Sequence, residues 1–349
     1  MTSIDVLHVG VPQLGWGPVD RLALLAADMF DGNVLDNAPR SGRHFSKLLS
    51  LIENPTIGKK RGLLVIAQDP THLRSDALPL GLIRQYGFAV AWVIDSFRHA
   101  DIPPKWRTAP FDFIGVTRPN DVELYERKTG IPVLLLPWGS DVLALGSEQG
   151  ERAIDLLRVG RQPDEWENDE HSAQLCARHG ISFAGRTPAV STPLVSHVGL
   201  MAQMARARFV MAHCNLAAPA PYTHPTQAYL TARWTDALAA GCVVAGMPPY
   251  LDQSMQALWP EALLEFDKIS AGVNAAQVAE ACREWTADIA VHNHRQALIR
   301  LDWRWRLQTI AQHLALRPPA LEAAIAKIST RVAALGALDV QSRHLEDRV

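Results

Sequence analysis

The chain has 349 residues, of which 48% are hydrophobic and 20% charged, and its formal net charge is −2. That balance excludes nucleic-acid binding through net positive charge, and no apolar run approaches the ~18 residues of a membrane span. A chain of this length exceeds what one hydrophobic core usually holds, so two domains of roughly 150 residues each are expected.

Cysteine and histidine usage narrows the chemistry further. Cys176, Cys214, Cys242 and Cys282 are widely spaced with no CxxC pair, which reads as reduced and mostly buried thiols. The 13 histidines form no HExxH pattern, so no metal site is expected. The N-terminus lacks a basic head followed by an apolar stretch, which makes the cytoplasm the expected compartment.

Residues 4–11 (IDVLHVGV) form an apolar run that ends in glycine, followed by the loop PQLGWGP and a periodic helix over 19–29. This is strand, glycine loop, helix, but the spacing is not GxGxxG and the dinucleotide fingerprint is absent. Gly15 and Gly17 let the backbone approach a ligand closely. Trp16 between them either stacks on a sugar or anchors the loop. Three further apolar runs end in polar residues: 62–67 before Asp69, 88–94 before Asp95, and 111–116 before Thr117 and Arg118. Near-continuous apolar strands alternating with helices imply a parallel sheet covered on both faces. Ligands then bind beyond the carboxyl ends of the strands, where Asp69 and Asp95 fall. Asp95 is the first candidate for a catalytic base, with Asp69 behind it; otherwise the acid only orients a bound hydroxyl, or Asp95 is a strand-end residue capping its turn.

The segment 111–141 (FDFIGVTRPNDVELYERKTGIPVLLLPWGSD) and the stretch 231–247 (TARWTDALAAGCVVAGM) resemble GT-B glycosyltransferases, in particular the spore-maturation CgeB-like branch related to the large group-1 family. The resemblance implies two Rossmann-like domains facing across a cleft, in an α/β fold. The expected boundaries are residues 1–145 for an acceptor domain and 153–317 for a nucleotide-sugar donor domain, joined by the polar break at 142–152. Residues 318–349 would form a helix crossing back to the first domain and a frayed tail. Trp138 after the last strand of the first domain is a second candidate stacking residue for an acceptor sugar.

In the second half, residues 154–159 followed by Gly160 and Arg161 read as a first strand with its glycine turn. Related enzymes place a basic residue here on the donor diphosphate, so Arg161 is a candidate phosphate clamp or a solvated turn arginine. A short strand over 181–185, a helix over 197–206 and a strand over 209–213 follow, leading into a proline-rich mouth. Thr223 and His224 in that mouth are candidate diphosphate contacts. Thr231 stands where it could cap the next helix or meet the ligand, and the free N–H groups of that helix start favour an anion. Arg233 and Asp236 lie three apart on one helix face. By the resemblance, Asp236 would hold the donor ribose, although it replaces the usual glutamate and Ala228 stands where many retaining members carry a first acid. Gly241 is placed to end the helix. Helices over 275–290 and 293–313 follow, with Arg304 and Arg306 expected at the surface or between domains.

The resemblance implies transfer of a sugar from a nucleotide-diphosphate sugar to an acceptor hydroxyl without a metal or other cofactor. The acceptor would be a glycan, a lipid-linked molecule or a protein, in a surface-polysaccharide or glycoconjugate pathway. A lipid-linked acceptor would call for peripheral membrane contact. A nucleotide-sugar epimerase on the same fold, or a degenerate non-catalytic sugar- or nucleotide-binding protein, are the competing expectations.

Overall fold

The computed structural model of the protein describes residues 2–10, 14–36, 61–77, 83–188, 190–250 and 252–346. The chain divides into two compact units, Met1–Pro137 with Arg306–Ala324 and Trp138–Trp305 with Ile325–Val349. Each unit carries its own sheet, and together they fit two Rossmann-like domains.

The first sheet has six strands: β1 (Ile4–Val9), β2 (Val34–Asp36), β3 (Gly62–Ala67), β4 (Phe88–Val93), β5 (Phe113–Val116) and β6 (Val133–Leu135). Their order is β2-β1-β3-β4-β5-β6, and every pairing is parallel. All six residues of β3 are buried, as expected of a strand covered on both faces, and this is why its sequence shows no polar alternation. The helix Gly17–Met29 starts on Pro18, whose fixed φ suits a first turn, and buries Val19, Leu22, Ala23 and Ala26.

The second sheet is also fully parallel, in the order β11-β10-β9-β7-β8. Its strands are β7 (Ile154–Arg158), β8 (Phe183–Ala184), β9 (Ala207–Met211), β10 (Val243–Gly246) and β11 (Leu263–Glu265). The helix Ala232–Ala239 runs through its core, with every residue from Trp234 to Ala239 buried. Fully burying a side chain such as Leu238 stabilises the fold by roughly 1.5–3 kcal/mol. Gly241 ends the helix at φ 76°, and a Cβ there would sit 2.6 Å from the Ser147 carbonyl oxygen, so only glycine turns the chain into β10.

The unit division falls between Pro137 and Trp138, and the polar stretch at 142–152 lies inside the second unit. Its Arg152 is buried, donating to the carbonyls of Gln149, Met204, Ala207 and Ala240, and this ties the stretch down. The expected helices over 275–290 and 293–313 are instead Ala271–Arg283, Ala287–Arg300 and Trp303–His313. The break near Asp302 has a cause: its carboxylate accepts from the Leu143 N–H and binds Arg304. Arg304 and Arg306 are buried; Arg304 pairs with Asp141 and Asp302, and Arg306 donates to the Pro137 carbonyl. The last helix runs from Pro319 to Glu346, beyond which the chain lies outside the described residues. No helix among the described residues is long and apolar enough to cross a membrane.

Candidate functional site

In the first unit the parallel register decides which side chains meet. Ala67 of β3 lies opposite Val93 of β4, and the ladder continues one step past both strands, with the Ile94 N–H donating to Ala67 and the Asp95 N–H to Gln68. Asp69 and Asp95 therefore leave the sheet side by side at its carboxyl edge. Their surroundings differ sharply. Asp69 caps the turn Pro70–Leu73 through the Thr71 N–H at 2.9 Å, also accepts from the Thr71 hydroxyl, and pairs with Arg98 at 2.7 Å. Burial alone would raise its pKa, but hydrogen bonds from His72 and Thr71 and the charges of His72 and Arg98 hold it down at about 2.

The Asp95 side chain has no hydrogen-bond partner among the described residues. Burial and the neighbouring Asp69 charge push it up to about 7, with Arg98 opposing. The two adjacent carboxyls are thus shifted in opposite directions, Asp69 down and Asp95 up, a division that suits different protonation states near neutral pH. Ser96, next to it, is held from behind by Asp121 at 2.6 Å and Thr117 at 3.0 Å, and Asp121 also receives His99 at 2.6 Å. Sequence reasoning missed this network. Its only signal was a hydroxyl or acid just past each strand end.

A cavity of about 470 Å³ opens at the same edge, lined by Val9, Gly10, Thr71, His72, Arg74, Asp76 and Ala77. Its charges are balanced, since Arg74 and Asp76 bind each other through two hydrogen bonds. Trp16 sits half-buried at the end of the turn Leu14–Trp16, with Gly15 exposed and Gly17 buried in the first turn of the following helix. Trp138 is half-buried against Trp303, with ring centroids 6.0 Å apart. The two candidate stacking tryptophans fall in different units.

In the second unit β7 ends at Arg158, and Gly160 turns the chain at φ 70°. A Cβ on Gly160 would lie 2.7 Å from Cδ of Arg233, so the glycine allows that arginine to pack beneath the turn. Arg233 donates to the Arg161 carbonyl at 3.3 Å and the His213 carbonyl at 3.0 Å. Among the described residues neither Arg161 nor Arg233 has a carboxylate partner, whereas the nearby strand residue Arg158 has two, Glu167 and Asp169. Burial and the Arg161 charge lower the Arg233 pKa to about 10. Burial and the Arg233 charge hold His213 at about 4, so its ring is neutral. Its Nδ1 accepts from the Met247 N–H at 3.1 Å, which leaves the proton on Nε2.

Donors without acceptors collect here. Nε of Arg161, Nε2 of His213 and the Thr231 hydroxyl are buried with no hydrogen-bond partner among the described residues. Thr231 precedes the helix Ala232–Ala239 in extended conformation but makes no capping bond, so the first turn keeps its N–H groups uncapped by any side chain. Two guanidiniums, the unmet groups of His213 and Thr231 and a helix start lie together, with no carboxylate paired to either guanidinium among the described residues. Such a cluster suits an anion.

Other expected donor contacts are placed differently. The Thr223 hydroxyl accepts from the Ala220 N–H and donates to the Ala220 carbonyl, while Nδ1 of His224 accepts from the N–H groups of Thr226 and Gln227; both side chains close their own turns. Arg233 and Asp236 do not pair. Asp236 is only 2% exposed, with one oxygen receiving the Ser140 hydroxyl at 2.6 Å and the other facing Nε2 of His197 at 2.9 Å. Both oxygens are thus engaged by protein. Asp236→Ala is expected to lower stability by about 3–5 kcal/mol, because the buried imidazole and hydroxyl lose their common acceptor. Chemical denaturation checks this, and loss of nucleotide binding at unchanged stability would restore the ribose role.

No family model matches the chain, and no curated protein matches it. Among solved structures it is similar to AviGT4, a glycosyltransferase involved in avilamycin A biosynthesis, at 12% identity and a TM-score of 0.51, over 90% of this chain and 97% of that one. It is also similar to HepE of Anabaena, solved in complex with UDP-glucose, at 12% identity and a TM-score of 0.50, over 89% of this chain and 99% of that one. At these identities the likeness shows the fold, two Rossmann-like domains of the GT-B kind.

Proposed function

We propose that the protein transfers a glycosyl group from a nucleoside-diphosphate sugar to an acceptor hydroxyl. The observation that carries this reading is the pair Arg161 and Arg233, without carboxylate partners, at the uncapped start of the helix Ala232–Ala239. Burying two like charges together is costly unless an anion joins them.

The proposed roles divide between the units. In the second, the donor diphosphate lies against Arg161, Arg233 and the helix start, with Gly160 allowing the close approach. As the bond between the anomeric carbon and the diphosphate oxygen breaks, the electron pair leaves with the diphosphate and these groups meet the growing charge without a metal. In the first, Asp95 is proposed as the base for the acceptor hydroxyl, and Asp69 stays ionised and holds Arg98. The charge-balanced cavity beside them suits a neutral polyhydroxylated acceptor, such as the sugar end of a glycan or glycoconjugate, and lipid-linked and protein-linked forms share that end.

The direct test is calorimetric titration with UDP, ADP, GDP and dTDP, followed by turnover with the matching nucleotide sugars. At least one diphosphate is expected to bind with micromolar affinity, and its sugar to be consumed when acceptor is present. Failure of all four to bind at millimolar concentration would remove the assignment.

A further inference from the structure

We infer that Tyr222 is the platform on which the nucleobase of the bound nucleotide stacks, an inference that rests on the diphosphate site proposed above. Tyr222 is 72% exposed, so its ring contributes little to the core, yet the surrounding loop is built to hold it. Asn215 pins the loop from inside: its Nδ2 donates to the carbonyls of His224 at 2.8 Å and Gln227 at 2.9 Å, and its Oδ1 accepts from the Tyr229 N–H at 3.2 Å. Thr223 closes the turn Ala220–Thr223 that carries the tyrosine, and His224 closes the next one. Pro219, Pro221 and Pro225 fix φ at three positions around it. The product of this bracing is a presented aromatic ring.

Its placement gives the ring a use. The Arg161 guanidinium carbon lies 4.7 Å from the ring centroid, so one face rests on the cation that also borders the phosphate site. Tyr222 is also within electrostatic reach of Arg233. An aromatic surface, open to solvent and joined to a cluster of unmatched positive charge, suits a ligand that combines a planar ring with phosphates. Stacking is tolerant of base identity, because every base has a π-face. The ring therefore adds affinity for nucleotides as a class.

The test is calorimetric titration of the full chain and of Tyr222→Ala and Tyr222→Phe with UDP, ADP, UDP-glucose and inorganic pyrophosphate. Tyr222→Ala is expected to weaken UDP and ADP about 10-fold or more while leaving pyrophosphate unchanged, and Tyr222→Phe to retain wild-type affinity. Equal weakening of pyrophosphate would mean that the ring only holds Arg161 in place, and would overturn the inference. So would a loss confined to UDP-glucose, which moves the ring to the sugar, or no loss at all. A wild-type chain that binds neither pyrophosphate nor any nucleoside diphosphate removes the phosphate site itself, and the platform with it. A wild type that binds UDP while Tyr222→Ala binds it equally removes the platform alone.

Discussion

Arg161→Ala is expected to lower kcat/KM for the responsive nucleotide sugar by about 10²–10³-fold while leaving the melting temperature nearly unchanged. The guanidinium sits beside a second cation with no counter-charge, and its contact within the described residues is the face of Tyr222. Its removal takes a charge-assisted partner from the leaving diphosphate but breaks no ion pair of the folded chain. It even relieves repulsion on Arg233, whose lowered pKa records that repulsion after the larger effect of burial. Arg233→Ala would be a poorer probe, because Arg233 also ties the carbonyls of Arg161 and His213 together and its loss would disturb the turn. Arg161→Lys should recover only part of the loss, since an ammonium cannot grip two oxygens in one plane. Steady-state kinetics paired with thermal melts check the expectation, and an unchanged kcat/KM would move the diphosphate elsewhere.

The contrast between Arg161 and Asp236 shows what could be read from the sequence and what could not. The strands were legible where both faces are buried: the run 62–67 is β3 to the residue, and 88–94 overshoots β4 by one. Short edge strands such as β2 were not, because three residues carry too little pattern. Gly160 and Gly241 were legible as turn positions because positive φ excludes most other residues. The partners of Asp236 were not. Helical spacing placed it on a face with Arg233, but Ser140 and His197 reach its carboxylate from distant parts of the chain, and no local pattern announces them. The same holds for Arg152, expected only as part of a polar break, and for Arg304, expected at the surface or between domains: distant hydrogen-bond partners keep both buried. At Arg161 no carboxylate partner lies among the described residues.

Asp95→Asn should separate activity from stability in opposite directions. As the base, Asp95 must be ionised, so turnover in the wild type is expected to rise with pH through about 7, the value to which burial and the Asp69 charge push it. The asparagine variant should lose about 10²–10⁴-fold in kcat and show no rise through that range. Stability runs the other way. The folded pKa lies above the unfolded value, so the native state holds the Asp95 proton more tightly; this contribution is fully present below about 4 and lost as pH rises through about 7. Asparagine removes the cost of ionising a carboxyl there, and the variant is expected to be more stable than wild type at pH 8 by on the order of 2 kcal/mol. Asp69 has the reverse sign: its depressed pKa contributes stability above about 4 that is lost as pH falls through about 2, so Asp69→Asn should weaken the fold at neutral pH. Denaturant melts at pH 5 and pH 8, set beside pH–rate profiles, resolve all of this. If Asp95→Asn keeps more than about a tenth of wild-type turnover, or the rising limb persists in it, the base lies elsewhere. A variant less stable than wild type at pH 8 would mean instead that the Asp95 carboxylate is a structural anion like its neighbour.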